Sequence, residues 1–350
     1  MEKRDTVVYI PYGIRGDKTN EYIFNMIEML EKKYKVTGNL AEPVDIFSML
    51  RTKAVFLNWV EGSLDAGLKL KLGLYKMAGT KLVWVFHNKQ PHDAGSDDEL
   101  VKKNMEWLAD QADYIVLHSK SSAQYIPHNK RNLAKNIYIP HPVYEKRLSE
   151  ERMTELRNRY KISESDFVFT MFGMIRPYKH YEDGIKAFKE LSPAGAKLIL
   201  AGRCIDLKYA SYLKKLCGHS ENIILDLRYI PDAVLDAIIG ISDVIVIPYV
   251  NDSSMNSGVM MQAFSNEKTV IIPNICMARD LAPQRFFYGY KSKLEKAMLK
   301  AYQNGKDMNR DLGHRAYEYV TQHNNLDIVS NRLNVMLDGG FRKKKRGKRR

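Results

Sequence analysis

The chain alternates between short apolar runs and longer amphipathic stretches. Runs such as TVVYIPY (6–12), KAVFLNWV (53–60) and KLVWVFHN (81–88) predict β-strands, because they are short and rich in β-branched and aromatic residues. The stretch 20–34 repeats apolar residues at helical spacing and predicts a helix. Strands and helices in alternation are typical of a parallel sheet covered by helices.

This alternation occurs twice along the chain. DYIVLHS (113–119) and NIYIPHPV (136–143) complete a first set of strands, and a charged helical stretch follows at about 145–162. Further strands are then predicted at 166–173, 196–202, 222–230, 243–249 and 269–274. The fold class is therefore α/β, with two doubly wound Rossmann-like domains facing each other across a cleft. Ligands of such sheets bind beyond the carboxyl ends of the strands.

The predicted boundaries define four regions. An N-terminal Rossmann-like domain covers 1–150, and a C-terminal one covers 151–290. Helices at 291–338 are expected to pack back toward the N-terminal domain. Residues 339–350 end in the run FRKKKRGKRR and predict a disordered basic tail.

Composition fits a soluble globular protein, with 45% hydrophobic and 27% charged residues. The first residues predict a strand rather than a signal peptide, and no apolar stretch reaches the roughly 18 residues of a membrane span. Three scattered cysteines, Cys204, Cys217 and Cys276, form no metal-binding spacing. A reduced, cytoplasmic protein is expected.

The segment FGMIRPYKH (172–180) carries the first candidate chemistry. Gly173 permits a sharp turn after a strand, while Arg176 and Lys179 could bind phosphate oxygens. A helix starting near Tyr181 would direct its N-terminus to the same place. On this segment alone, a solvated loop with two surface cations is an equally good interpretation.

A second segment, 229–273, strengthens the phosphate hypothesis. A strand ending at Pro248 leads to the polar loop NDSSMNSG and then to a helix. Small residues before a helix leave backbone amides available to phosphate. Asn256 or Ser257 could cap that helix.

Together these segments resemble the donor-binding domain of GT-B glycosyltransferases, most closely family four, over about 165–275. The resemblance rests on FGMIRPYK, on AGR (201–203) after a strand, and on the run 229–249. It implies a nucleotide diphosphate sugar as co-substrate, with diphosphate bound by cations and helix N-termini and no metal. The implied donor-binding residues are Gly173, Arg203, Ile230, Tyr249, Asn256, Ser257, Gly258 and Gln262.

The sequence departs from the family pattern at one pair of positions. The family carries two glutamates with seven residues between them, whereas this chain has Ser254 and Gln262. Gln262 keeps an acceptor oxygen and could still bind ribose, so a Gln262→Glu variant is expected to retain nucleotide binding. Loss of the first acid leaves a catalytically inactive binding subunit as an alternative.

Polar residues also cluster after a strand in the first half. His87 stands at the strand end, followed by Asn88, His92 and Asp93. The resemblance implies that His87 contacts the donor sugar, while Asp93 or His92 could act as a base. A capping histidine is the structural alternative. The predicted catalytic residues are His87, Asp93, Arg176 and Lys179.

The sequence therefore predicts a hexosyltransferase that uses a UDP- or GDP-hexose. The expected acceptor is a glycan or lipid-linked glycan of cell-surface polysaccharide synthesis, such as capsule or lipopolysaccharide. Arg15, in a loop after the first strand, could meet an acceptor phosphate.

The basic tail has three possible roles. Of the net charge of +14, eight units lie in the last ten residues, which leaves +6 for the rest. The tail could be uninvolved, bind nucleic acid, or anchor the protein to an anionic membrane surface. Nucleic acid is disfavoured because no aromatic residues are interleaved with the basic run. A lipid-linked acceptor favours the membrane anchor, and hence a peripheral protein on the inner face of the membrane.

Overall fold

The computed structural model describes residues 5–13, 20–40, 45–89, 98–127, 135–249 and 255–340. The chain forms two compact units. The first comprises Met1–Pro142 and Asn324–Arg350, and the second comprises Val143–His323. The chain passes between the units at 142–143 and at 323–324, whereas the sequence analysis placed one boundary near 150.

The described part of the first unit contains a sheet of six parallel strands. The strands are β1 (Thr6–Ile10), β2 (Lys35–Thr37), β3 (Thr52–Asn58), β4 (Lys81–Val85), β5 (Tyr114–Leu117) and β6 (Asn136–Tyr138). Its α-helices are α1 (Glu21–Glu31), α2 (Ile46–Arg51), α3 (Ala66–Met77), α4 (Asp98–Gln111) and, from the end of the chain, α12 (Leu326–Leu337).

The second unit contains another six-stranded parallel sheet among its described residues. Its strands are β7 (Phe167–Phe172), β8 (Ala196–Ala201), β9 (Ile223–Asp226), β10 (Val244–Val246), β11 (Thr269–Pro273) and β12 (Tyr288–Tyr290). Its α-helices are α5 (Glu150–Tyr160), α6 (Tyr181–Leu191), α7 (Leu207–Cys217), α8 (Asp232–Gly240), α9 (Gly258–Ser265), α10 (Cys276–Leu281) and α11 (Leu294–His323), the last interrupted at Gly305.

The order of the strands shows where each sheet has a crevice. The first sheet runs β2-β1-β3-β4-β5-β6 and the second β12-β11-β10-β7-β8-β9. The direction of winding reverses between β1 and β3 in the first sheet and between β7 and β10 in the second. At such a switch point the loops leave in opposite directions and open a crevice at the carboxyl ends of the strands. Two separate sheets of this type confirm the predicted doubly wound α/β fold class.

The predicted helical region 291–338 divides between the units. Helix α11 packs against α6, α9 and β11 of the second unit. Helix α12 packs against α1, where Val329, Leu333 and Met336 join the core of the first unit. The charged stretch before β7 is also part of a core, because Leu156 and Tyr160 of α5 are buried in the second unit.

Polar side chains determine where several helices begin. Asn20, Asp45 and Asp65 precede α1, α2 and α3, and each accepts a hydrogen bond from a first-turn amide. Asp206 and Ser257 do the same for α7 and α9. Within the described ranges, no helix is long and apolar enough to cross a membrane.

Candidate functional site

The crevice of the second sheet lies beyond β7 and β10. The turn after β7 contains Gly173, whose φ is +112°. A Cβ atom at this position would lie 3.6 Å from Val259 Cγ2 and 3.7 Å from both Lys179 Nζ and the Tyr181 hydroxyl. Gly173, the Lys179 ammonium and the start of α9 are therefore neighbours, which is the grouping that the sequence predicted.

A second glycine holds this turn in place. Gly202, in the segment AGR after β8, has φ +149°, and a Cβ atom on it would lie 1.8 Å from the carbonyl oxygen of Gly173. Only glycine permits the two backbones to approach so closely. Arg203 is among the predicted donor-binding residues, whereas Gly202 next to it is not.

The Lys179 ammonium is the central charge of the site. Lys179 ends a short 3-10 helix, Pro177–Lys179, and its Nζ atom lies 5.6 Å from the centre of the Tyr249 ring. Burial, together with the nearby charge of Arg176, lowers the pKa of Lys179 to about 8. A cation in this setting is stabilised by an anionic partner, and none of the described carboxylates forms an ion pair with it. The site is suited to an anionic ligand.

The N-terminus of α9 adds to the positive potential. Ser257 caps the helix, with its hydroxyl accepting a hydrogen bond from the Met260 amide at 3.1 Å, and it shares another hydrogen bond with Tyr249. The amides of Gly258 and Val259 lie in the first turn, where they have no partner within the helix. They carry the positive end of the helix dipole toward the turn at Gly173.

Gln262 lies on the same face of α9 as Gly258, one turn further along. Its side chain lies close enough to the carboxyl group of Asp236 on α8 to lower the pKa of that group slightly, and Asp236 is 4% exposed. Burial raises the pKa of Asp236 to about 6, and the charge of Arg147 partly opposes this shift. An ionised Asp236 can only accept, so the favourable side of the Gln262 amide toward it is the nitrogen, and the amide oxygen is then directed elsewhere.

The remaining donor-binding candidates of the second unit are placed differently. The Ile230 side chain is 7% exposed and belongs to the hydrophobic core, so Ile230 can present only its backbone to a ligand. Arg203 is exposed, and its backbone oxygen accepts a hydrogen bond from the Ile175 amide at 2.9 Å. That bond joins the turns after β7 and β8. Asn256 is half-buried, just before the capping residue.

His87 lies beside the crevice of the first sheet. Asn58, at the end of β3, donates from Nδ2 to the carbonyl oxygen of Ile10 at the end of β1, over 3.0 Å. Its Oδ1 atom therefore accepts from His87 Nε2, also at 3.0 Å, which leaves Nδ1 as the acceptor of a neutral ring. The ring stacks on Trp59 at 4.0 Å and is 7% exposed. His87 is thus fixed in one orientation.

Two more histidines of this unit are held by backbone carbonyls. His118 Nδ1 donates to the Ile139 oxygen at 2.8 Å, so Nε2 accepts from the Tyr22 hydroxyl at 2.7 Å. His141 Nδ1 donates to the Pro142 oxygen at 2.9 Å. Burial lowers the pKa of His118 to about 4 and that of His141 to about 3. Both rings are therefore neutral at physiological pH.

Several predicted residues lie outside the described residues, namely Arg15, His92, Asp93 and Ser254, and so does the basic run 341–350. In the ranges that are described, no three His, Cys, Asp or Glu side chains are grouped so that they could hold a metal ion.

Anion binding at Lys179 should weaken as the pH rises. Because the pKa of Lys179 is lowered to about 8, the ammonium loses its charge above that pH, and affinity for pyrophosphate should fall by up to about tenfold per pH unit. Calorimetric titrations from pH 6.5 to 9.5 would measure this. A Lys179→Arg variant stays charged and should lack the decline. Parallel profiles for the two proteins would show that another group titrates.

The comparisons with known proteins agree with this geometry. Residues 152–319 match the family model of glycosyl transferases group 1. No curated protein matches the chain. Among solved structures, Anabaena HepE in complex with UDP has a TM-score of 0.73 and 13% identity, covering 96% of this chain and 100% of that one. A sucrose-phosphate synthase from Thermosynechococcus elongatus has a TM-score of 0.72 and 12% identity, covering 97% and 99%.

A glycosyltransferase from Rickettsia africae gives a similar result, with a TM-score of 0.71, 13% identity, and coverage of 98% and 100%. At these identities the structural likeness establishes the fold, which is the GT-B fold of two Rossmann-like domains. The family match lies within the second unit, on the segments of the anion site. The predictions of a GT-B fold and of a glycosyltransferase are confirmed.

Proposed function

We propose that this glycosyltransferase transfers a hexose from a UDP-sugar to a glycan or lipid-linked glycan, and that it belongs to family four. The observation that carries the proposal is the half-buried Lys179 ammonium beside Gly173 and the N-terminus of α9. This arrangement is suited to a diphosphate rather than to a single carboxylate, because cation, amides and glycine turn converge. UDP is favoured over GDP because HepE was solved with UDP and with UDP-glucose.

The chemistry follows from where charge develops. In the transfer, the bond between the anomeric carbon and a diphosphate oxygen breaks, and an acceptor hydroxyl oxygen bonds to that carbon while its proton leaves. Negative charge therefore grows on the departing diphosphate. Lys179, Arg176 and the amides of Gly258 and Val259 would stabilise it without rearrangement.

These groups supply the positive charge that a metal would otherwise provide, so we propose that the reaction needs no metal cofactor. His87 is proposed to contact the donor sugar. Gln262 would accept a ribose hydroxyl at its amide oxygen, with the amide held in that orientation by Asp236. Cell-surface polysaccharide synthesis on the inner face of the membrane is the proposed setting.

A nucleotide-sugar screen tests the function. UDP-sugars, but not GDP-sugars, should raise the unfolding temperature, since a ligand at 100 times its Kd stabilises by about 2.7 kcal/mol. Release of UDP from one of these donors, in the presence of a glycan acceptor, should be unchanged by EDTA. The Lys179→Ala variant is the matched control. Stabilisation by none of the donors would refute the proposed function, and inhibition by EDTA would refute a metal-free reaction.

The proximity of Gln262 to Asp236 gives a second prediction. It reverses the expectation from sequence that a Gln262→Glu variant retains nucleotide binding. Gln262→Glu would place a second carboxyl group against the buried Asp236, and the two would repel when ionised. We expect UDP affinity to fall about tenfold at pH 8, or about 1.4 kcal/mol, and to recover toward pH 5.5.

The double variant Asp236→Asn with Gln262→Glu provides the control. It exchanges the carboxyl and amide groups, so one carboxyl again faces one amide and affinity should return toward the wild-type value. The single variants are Asp236→Asn and Gln262→Glu. If their losses of affinity simply add in the double variant, the two residues are not coupled.

A further inference from the structure

The first unit exposes a group of large apolar side chains on α2 and α3, which pack beside each other. The fractional exposure is 70% for Phe47, 67% for Leu70 and 87% for Met77. We call this group the α2–α3 apolar face, and it consists of Ile46, Phe47, Leu50, Leu70, Leu74 and Met77. Clustered exposure of this kind marks an interaction surface rather than scattered surface residues.

Helix α3 has apolar residues on two sides. Leu72 and Tyr75 are buried and attach the helix to the first unit. Leu70, Leu74 and Met77 are spaced by four and three residues, so they share the opposite, outward face. The fold does not need this second face for its own core, so the face is available to a partner.

The charged residues within the two helices and the start of β3 are all positive, although Lys53 of β3 pairs with Asp338 at 3.6 Å. The segments 46–53 and 66–77 contain Arg51, Lys53, Lys69, Lys71 and Lys76, and neither contains Asp or Glu. The nearest acids in the sequence, Asp45 and Asp65, cap the two helices. Apolar side chains bordered by lysine and arginine are typical of helices that lie in the interface of an anionic bilayer.

The same charges argue against a second copy of this chain as the partner. A twofold interface places the same surface on both sides, so the cations of α2 and α3 on one copy would face those on the other. That juxtaposition is repulsive, whereas anionic lipid headgroups complement it.

We propose that the α2–α3 apolar face docks on the surface of an anionic lipid bilayer, with its apolar side chains entering the interfacial region. A cavity of about 640 Å³ lies at the N-terminal end of α3, lined by residues that include Ile10, Asn39, Leu68 and Lys71. Docking through α3 would bring this cavity to the membrane surface. Its use by a lipid-linked acceptor rests on the proposed function, but membrane docking itself does not.

Vesicle co-sedimentation of the full-length chain tests the docking. Vesicles of phosphatidylcholine with phosphatidylglycerol are compared with phosphatidylcholine alone, with no sugar donor present. The wild type should bind the anionic vesicles, and the triple variant Phe47→Ser, Leu70→Ser, Met77→Ser should lose at least about tenfold in affinity. The basic end is present in every protein, so it cannot account for a difference.

A matched control removes exposed apolar side chains from the second unit. Ile205, Leu207 and Met308 are 57%, 79% and 49% exposed, and their replacement by serine should leave vesicle binding unchanged. Circular dichroism and thermal unfolding would verify that each variant is folded.

Equal vesicle binding by all three proteins, or no binding by the wild type, would overturn the proposal. Sedimentation velocity tests whether the α2–α3 apolar face is instead a dimer interface. A wild-type dimer that the triple substitution dissociates, without vesicle binding, would instead make this face a self-interface and would also overturn it. A failure to turn over nucleotide sugars would leave the vesicle result unaffected.

Discussion

Replacing Lys179 with methionine should lower kcat/KM for sugar transfer by at least about thirtyfold, equivalent to about 2 kcal/mol of transition-state stabilisation. The lost ammonium lies 3.7 Å from where a Cβ atom on Gly173 would be, at the turn of the proposed diphosphate site. The same substitution should stabilise the ligand-free protein. The folded-state pKa of about 8 is below the ordinary value of 10.5, so folding disfavours the charged form at neutral pH.

The gain in unfolding free energy at pH 7 should be about 1–3 kcal/mol, and it should shrink as the pH rises from 8 to 10.5, because the wild-type lysine then loses its proton in both states. Steady-state kinetics and urea unfolding on the same samples would measure the two effects. Lys214→Met, at an exposed position on α7, is the matched control and should change neither. Unchanged transfer in Lys179→Met would remove the residue from the donor site.

Replacing Gly202 with alanine should destabilise the second unit by about 3 kcal/mol or more and abolish measurable UDP binding. The new methyl group would lie 1.8 Å from the Gly173 carbonyl oxygen, a backbone atom that can move only with the whole turn. The positive φ of Gly202 adds backbone strain.

A Gly218→Ala variant distinguishes the cost of a positive φ from the cost of a clash between the new methyl group and the backbone. Gly218 also has a positive φ, of +63°, but no atom lies within 4 Å of an added Cβ. Its cost should be limited to about 1–2 kcal/mol, with UDP binding retained. Urea unfolding of the two variants would compare them. Equal destabilisation would show that contact with Gly173 is unimportant.

Most of the fold could be predicted because most of its strands are recognisable from their own sequences. Buried parallel strands are continuous apolar runs, and these are visible in sequence. The two strands that sequence analysis missed, Lys35–Thr37 and Tyr288–Tyr290, are three residues long and lie at sheet edges. Their conformation depends on pairing with β1 and β11 rather than on an apolar pattern.

The grouping of the proposed site was predictable where its features are local in the sequence. A glycine after a strand, two cations and a polar helix cap identified Gly173, Lys179 and Ser257, and the structure groups them. The partnership of Gln262 with Asp236 and the approach of Gly202 to Gly173 join distant segments. No local pattern encodes such contacts, since Asp236 alone resembles any polar residue of an amphipathic helix.

The passage of the chain through two units has a consequence for its synthesis. The second unit is one continuous segment, 143–323, and contains every strand of its sheet. The first unit buries α1 under α12, and Lys32 and Lys33 of the turn after α1 form ion pairs with Asp327 and Asp338. A nascent chain ending at 142 therefore presents the apolar face of α1 to solvent until α12 has left the ribosome. The segment made first is the last to be completed, and a fragment 1–142 is an unfinished unit rather than a separable domain.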